Sequence, residues 1–116
     1  MNDLIERIFQ GFTVNGKAIP VKFLRYLGHG EPYVTYMHTD YEASYSGDDE
    51  LLGYVNYYDF DFYSKGDYTA IIESVKQTLK DNGFTWNPSR GSSDMYEDTT
   101  GYFHRTESFS IFIQEG

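Results

Sequence analysis

The side chains with reactive potential are three histidines, His29, His38 and His104, the acidic run Asp48-Asp49-Glu50, and the alternating pair Asp59 and Asp61. A zinc site needs its ligands at turn or helix spacing, and no two of these histidines stand at such a spacing. His38 and Asp40, two apart on one strand face, would allow a metal pair, but a solvated histidine beside an acidic loop accounts for them more simply. Asp48-Asp49-Glu50 has the charge for Ca²⁺ or Mg²⁺. However, Gly47 precedes the acids, and the Asp-x-Asp-x-Asp-Gly order of a calcium loop is missing, so the run reads as a solvated, self-repelling loop. Asp59 and Asp61 have the form of a glycosidase or nuclease dyad, yet alternating charges on the exposed face of a half-buried strand explain them without catalysis. Gly28-x-Gly30 lacks a third glycine and a following helix, and no Gly-x-Ser-x-Gly occurs. There is no cysteine, which excludes disulfides, thiolate metal sites and cysteine nucleophiles. The expectation is a protein with no catalytic residues, no metal and no cofactor.

The elements that carry these residues follow from periodicity. Leu4, Ile5, Ile8 and Phe9 form the stripe of a short amphipathic helix over 3–10, with Gly11 as its stop. Asn15-Gly16 is a tight-turn pair. Ile19, Val21 and Phe23 alternate along a strand running to about Tyr26, with Pro20 demoting its first part to an edge. Gly28 to Pro32 is a loop, and Tyr33-Val34-Thr35-Tyr36-Met37 is a strand by propensity. Residues 40–50 read as a mobile excursion between strands, with a hairpin as the other option. Leu51–Tyr63 is the longest strand, with Tyr58, Phe60 and Phe62 on one face and Asp59 and Asp61 on the other, facing water or a partner. Tyr68, Ile71, Ile72, Val75 and Leu79 make one continuous helix face over 68–80, with Asp67 as cap, Gly83 as left-handed stop and Phe84 folding back. Trp86 packs just beyond it as core or boundary, and residues 87–95 form a loop. The last strand runs from Tyr102 to Gln114, with Phe103, Phe109, Ile111 and Ile113 on one face. These elements predict one α+β domain over residues 1–116. It would hold an antiparallel or mixed sheet of four to five strands, with an N-terminal helix and one central amphipathic helix packed on it. The pairing of the two long strands is left open.

Composition narrows the function. The net charge of −9 argues against a nucleic-acid binder and against an anionic membrane surface. No membrane span or signal peptide is expected, and the chain reads as one that folds in a cytoplasm. Twelve Tyr and nine Phe are enough to build a core and still leave a tyrosine-rich surface suited to protein contacts. Charge is unevenly placed: residues 40–67 hold eight acids against Lys65 alone, while residues 1–25 hold Arg7, Lys17, Lys22 and Arg25 against Asp3 and Glu6. Such asymmetry can steer head-to-tail contact between identical subunits, although an acidic loop that only aids solubility explains it equally well.

A particular order of features runs through most of the chain. Pro32-Tyr33-Val34-Thr35-Tyr36 leads to the Asp48/Asp49 loop, then to Phe60-Asp61-Phe62-Tyr63-Ser64. The central helix closes at Asn82-Gly83-Phe84, and Met95-Tyr96-Glu97-Asp98-Thr99-Thr100-Gly101-Tyr102-Phe103-His104-Arg105 leads to Phe109. In this order the chain resembles the tail-terminator, or tail-to-head joining, proteins of long-tailed phages of Gram-positive bacteria. The resemblance covers about 85 of the 116 residues. Its most specific part is the Tyr-x-Asp-x-x-Gly-x-x-His run through Tyr96, Asp98, Gly101 and His104. The segment before Pro32 departs from the pattern.

The resemblance implies a structural protein of the virion tail, assembled in the host bacterial cytoplasm. It implies a ring, commonly of six subunits, that caps the finished tail tube of the major tail protein and meets the head connector. DNA would pass through the channel without specific binding. Two placements of the acids fit that role: Asp40, Asp48, Asp49, Glu50, Asp59 and Asp61 meet Lys17, Lys22 and Arg25 of the next subunit, or they line the channel. His104 is read from the residues as hydrogen-bonded to the Asp98–Gly101 turn. The resemblance also fits a neighbouring head–tail adaptor or stopper protein of similar build, and two other classes compete: a monomeric module that binds a protein or glycan through exposed tyrosines, and a small hydrolase using Asp59 and Asp61 with a metal.

Overall fold

The computed structural model describes residues 2–26 and 32–115, so the expected loop at Gly28–Glu31, with His29, lies outside the described residues. Helix α1 (Asn2–Ile8) precedes a small hairpin of β1 (Thr13–Val14) and β2 (Lys17–Ala18), whose turn places Asn15 and Gly16 at φ of 53° and 81°. Both positive angles are what a two-residue hairpin turn requires. Pro20 then interrupts the chain, and β3 (Val21–Phe23) begins after it. The long strands β4 (Tyr33–Tyr45) and β5 (Leu51–Ser64) follow, then α2 (Thr69–Asp81), β6 (Thr85–Trp86), a 3₁₀ turn (Pro88–Arg90), β7 (Met95–Glu97) and β8 (Tyr102–Gln114).

The fold is α+β, with a multi-stranded sheet and two helices. The main sheet has six strands in the order β3-β4-β5-β8-β6, with β7 also on β8. The β3–β4 pair is parallel and the others are antiparallel, so the mixed alternative holds and β5 and β8 are antiparallel neighbours. There are more strands than the expected four to five. The additional ones, β1, β2, β6 and β7, are two or three residues long, too short for alternation to reveal.

The register of β4, β5 and β8 sets two faces. One carries Val34, Tyr36, Tyr58, Phe60, Phe62 and Phe109, all buried. Against it pack Ile5 of α1, Phe9 just beyond it, and Ile71, Ile72, Val75 and Leu79 of α2, the face foreseen from the spacing. The N-cap position of α2 is Tyr68 and not Asp67; one residue earlier, the Asp67 carboxylate accepts the amide and hydroxyl hydrogens of Thr69, the first helical residue, at 2.9 and 2.7 Å. At the other end Gly83 (φ 89°) lets the Phe84 amide reach Leu79 O at 2.9 Å and its own amide reach Lys80 O at 3.2 Å, the double closure of a Schellman stop.

Residues 40–50 are not the mobile excursion expected of their composition. They belong to one hairpin, in which Asp40 pairs with Tyr57 and Tyr45 with Leu51. The turn at its tip is closed by the Ser46 amide on Glu50 O at 2.8 Å, and the Ser46 hydroxyl accepts the amides of Asp48 and Glu50. Polarity suggested a loop; cross-strand pairing of Tyr41, Val55 and their neighbours outweighed it. The molecule measures 52 × 27 × 22 Å, because this hairpin and the end of β8 run on past the helices. No helix among the described residues is long and apolar enough to cross a membrane.

Candidate assembly surface

Alternation decides where each acid goes. Asp48, Asp49 and Glu50 sit exposed at the hairpin tip. Asp40 lies midway along the hairpin, 3.8 Å from the Arg90 guanidinium, which itself stacks 3.9 Å over the Tyr57 ring. A bulge separates His38 from Asp40: His38 pairs with Tyr58 and Asp40 with Tyr57. Thr39 is the extra residue, so His38 and Asp40 point to opposite faces, and the metal pair drawn from their spacing does not form. His38 Nε2 meets Asn56 Oδ1 at 3.0 Å instead. No group of three or more His, Asp or Glu suited to a metal occurs among the described residues.

Asp59 and Asp61 share a face, as expected, but that face is not simply exposed. Both are half-buried, and Asp61 Oδ1 receives His104 Nε2 at 2.9 Å and the Thr106 hydroxyl. His104 is therefore tied to β5 and not to the Asp98–Gly101 turn. That turn closes on itself, with the Gly101 amide (φ 76°) on Glu97 O at 2.8 Å and the Thr100 hydroxyl on the Glu97 carboxylate. Cross-strand pairing of Tyr63 with His104 explains the difference, because it stacks the two rings at 4.3 Å and turns the imidazole toward the neighbouring β5 carboxylate. Burial raises the Asp59 carboxyl, and the Ser108 hydroxyl beside it works the other way. Burial also raises the Tyr63 phenol, to about 12. With Asp61 already bonded to two side chains, this cluster ties β5 to β8 more readily than it supplies a free base.

The residues of the Tyr96–His104 run and Phe109 divide between core and surface. Phe109 is in the core, Gly101 takes the left-handed turn, and Tyr96 is exposed with its ring 4.9 Å from Phe103. Trp86 is exposed and not the core or boundary residue expected, although its indole N–H donates to Glu107 Oε1 at 3.1 Å and Lys76 Nζ lies 3.7 Å over its ring.

Glu107, almost fully buried, also faces Arg105 at 3.2 Å, and Arg105 approaches Asp94, which accepts the Tyr68 hydroxyl. Sequence reasoning missed this network. Arg105 and Glu107 share the parity of Phe109, and two opposite charges two residues apart on an apolar strand face signal a pair held inside. The same segment packs tightly against β8: a Cβ at Gly91 would stand 2.7 Å from Thr106 O.

The basic residues lie at the other end. Lys17 is on β2, Lys22 on β3 and Arg25 just beyond it. A cavity of about 980 Å³ in this region is lined by Arg7 and Lys22 but also by Asp3 and Glu6, so its rim has mixed sign. β3 reaches β4 only as far as Tyr36. From there to Tyr45 the strand runs roughly 30 Å, at about 3.3 Å per residue. Within the chain the tip acids and Lys17, Lys22 and Arg25 are therefore held apart.

Between those ends the face that continues the core is uncovered. Tyr41 and Tyr45 are 61% and 60% exposed, and Leu52 and Ile113 are also exposed. Tyr41 packs only edge-on to Tyr54 and against His38. On the opposite face Phe112 is 47% exposed. Apolar side chains on both faces of a projecting ribbon are unusual for a surface meant only for water.

Searches of protein-family models and of curated proteins find no match to this chain.

Proposed function

We propose that this protein is a virion assembly protein. It forms a ring on the end of a long-tailed phage tail tube, stops the tube's growth and presents a surface to the head connector. The observation that carries the reading is the projecting ribbon, acidic at its tip and aromatic along its length, with Lys17, Lys22 and Arg25 at the opposite end. A chain that leaves such a surface uncovered is suited to burying it against a different face of the next copy, a heterologous contact that closes into a ring. The ordered resemblance from Pro32 to Phe109 supplies the identity of the tube. On this reading the protein is not an enzyme, it binds no cofactor, and DNA passes the ring without specific contacts.

The test uses tubes assembled from a major tail protein of a long-tailed phage of Gram-positive bacteria, viewed by electron microscopy with and without this protein. Capped ends and shorter tubes are expected. Tubes that elongate unchanged in a molar excess of the protein would refute the reading. Reversing the tip charges (Asp48→Lys with Asp49→Lys) should weaken ring formation or DNA passage. If both stay intact, the role given to those acids is wrong. The exposed Tyr41 and Tyr45 favour one alternative, a monomeric module that grips a protein partner, which light scattering across concentrations separates from a ring.

A further inference from the structure

The ribbon has two open edges. β3 covers the outer edge of β4 only at Val34–Tyr36, and β6 covers the outer edge of β8 only at Phe109 and Ser110. Among the described residues no strand pairs with the outer side of β4 beyond Tyr36 or of β8 beyond Ser110. The register places Tyr41, Asn56 and Ile111 on one level and Ala43, Tyr54 and Ile113 on another. Residues 41–45 of β4 and 111–114 of β8 are therefore open at the same height, on opposite sides of one three-stranded ribbon.

Thr106 O and Ser108 O accept hydrogen bonds from the segment outside β8, from the amides of Ser92 and Asn87. By the two-residue period of a strand, the amides and carbonyls of Phe112 and Gln114 also point outward. Unpaired rows of this kind template the addition of another strand.

We infer that these edges join copies of this chain, with the outer edge of β4 at Tyr41–Tyr45 pairing with β8 at Ile111–Gln114 of the next copy. The proposal rests on the ring reading above and names its contact. A second copy is the occupant because one chain carries both halves of the contact, on opposite sides, and neither half can reach the other across β5. β4 and β8 both run antiparallel to β5. A rotation about an axis along the ribbon therefore brings them together in parallel, the geometry that β3 and β4 already adopt within the subunit. The exposed Tyr41, Ile113 and Phe112 would then be covered.

Cross-linking tests this on the full chain, which has no native cysteine among its residues. Ala43→Cys with Ile113→Cys places two thiols on one level with β5 between them, about 9.6 Å apart at two strand spacings. That exceeds the roughly 7 Å between Cα atoms that a disulfide spans, so a bond between these positions joins two copies. Mild oxidation should give a ladder extending beyond the dimer, whereas each single-cysteine variant stops at the dimer. Adding Phe112→Pro removes an outward amide together with the ring, and Phe112→Ala removes the ring alone; the proline variant should abolish the ladder with the circular dichroism spectrum unchanged, while the alanine variant keeps it.

The inference is overturned if neither Ala43→Cys/Ile113→Cys nor the shifted pair Ala43→Cys/Ile111→Cys passes the dimer, or if Phe112→Pro leaves the ladder intact. Rings seen by electron microscopy without a ladder would remove this contact and leave the ring reading standing. A ladder with uncapped tubes would keep the contact and remove the tail reading.

Discussion

Around Phe60 the sheet lies under two helices, and its side chains are sealed from water. Around Tyr41, on the next strand and some distance toward the tip, side chains of the same face are open. The two regions are built from the same strands and obey the same alternation. They differ in what covers them, and that separates residues that hold the fold together from residues left open on the ribbon.

The sharpest way to break the comparison is to truncate one aromatic in each region. Phe60→Ala should cost about 3–5 kcal/mol in denaturant unfolding, as for other fully buried phenylalanines. Tyr41→Ala should stay within about 0.5 kcal/mol, yet reduce self-association measured by sedimentation. Similar stability losses at both sites would mean that the ribbon is part of the core.

Gly53→Val probes the ribbon's own cohesion. A Cβ there runs into the backbone carbonyl of Ile113 and within 2.9 Å of Gln114 Cα. Overpacking of this kind should cost about 1–3 kcal/mol. Amide exchange should accelerate across residues 51–57 and 110–114 while residues 58–62 stay protected.

At the boundary between the regions, Trp86→Phe keeps a ring but removes the indole donor from the buried Glu107. Leaving that oxygen unpaired should cost about 1–2 kcal/mol in thermal or chemical unfolding.

The smallest effect is in pH dependence. The Tyr63 phenol titrates higher in the folded chain than its ordinary value of 10, at about 12. Its contribution to stability is therefore present below pH 10 and is lost as pH rises through about 12. Tyr63→Phe should move the alkaline unfolding midpoint upward. An unchanged midpoint would mean that Tyr63 ionises without resistance.

Much of this division was legible in the sequence. The apolar face of α2, its stop at Gly83-Phe84 and the Tyr58/Phe60/Phe62 face all follow from spacing, because burial on one side leaves a periodic trace. Three things did not. Ser46 closes the hairpin tip through its hydroxyl, and a polar stretch looks the same whether its groups bond each other or water. Thr39 breaks the alternation without any glycine or proline to mark it. The partner of His104 depends on which strand lies beside β8, and that pairing was undetermined. The buried Arg105 and Glu107 were readable from parity alone, but the apolar neighbours Phe109 and Ile111 drew attention away from them.

Thr39 has a consequence for the direction of the ribbon. Extra residues of this kind bend a strand and tighten its twist locally, so the angle at which the ribbon leaves the body is set close to this point. Deleting Thr39 would leave His38, Asp40 and Tyr41 on their present faces and straighten only the departure. In a closed ring of such subunits, that single angle would govern the width of the bore.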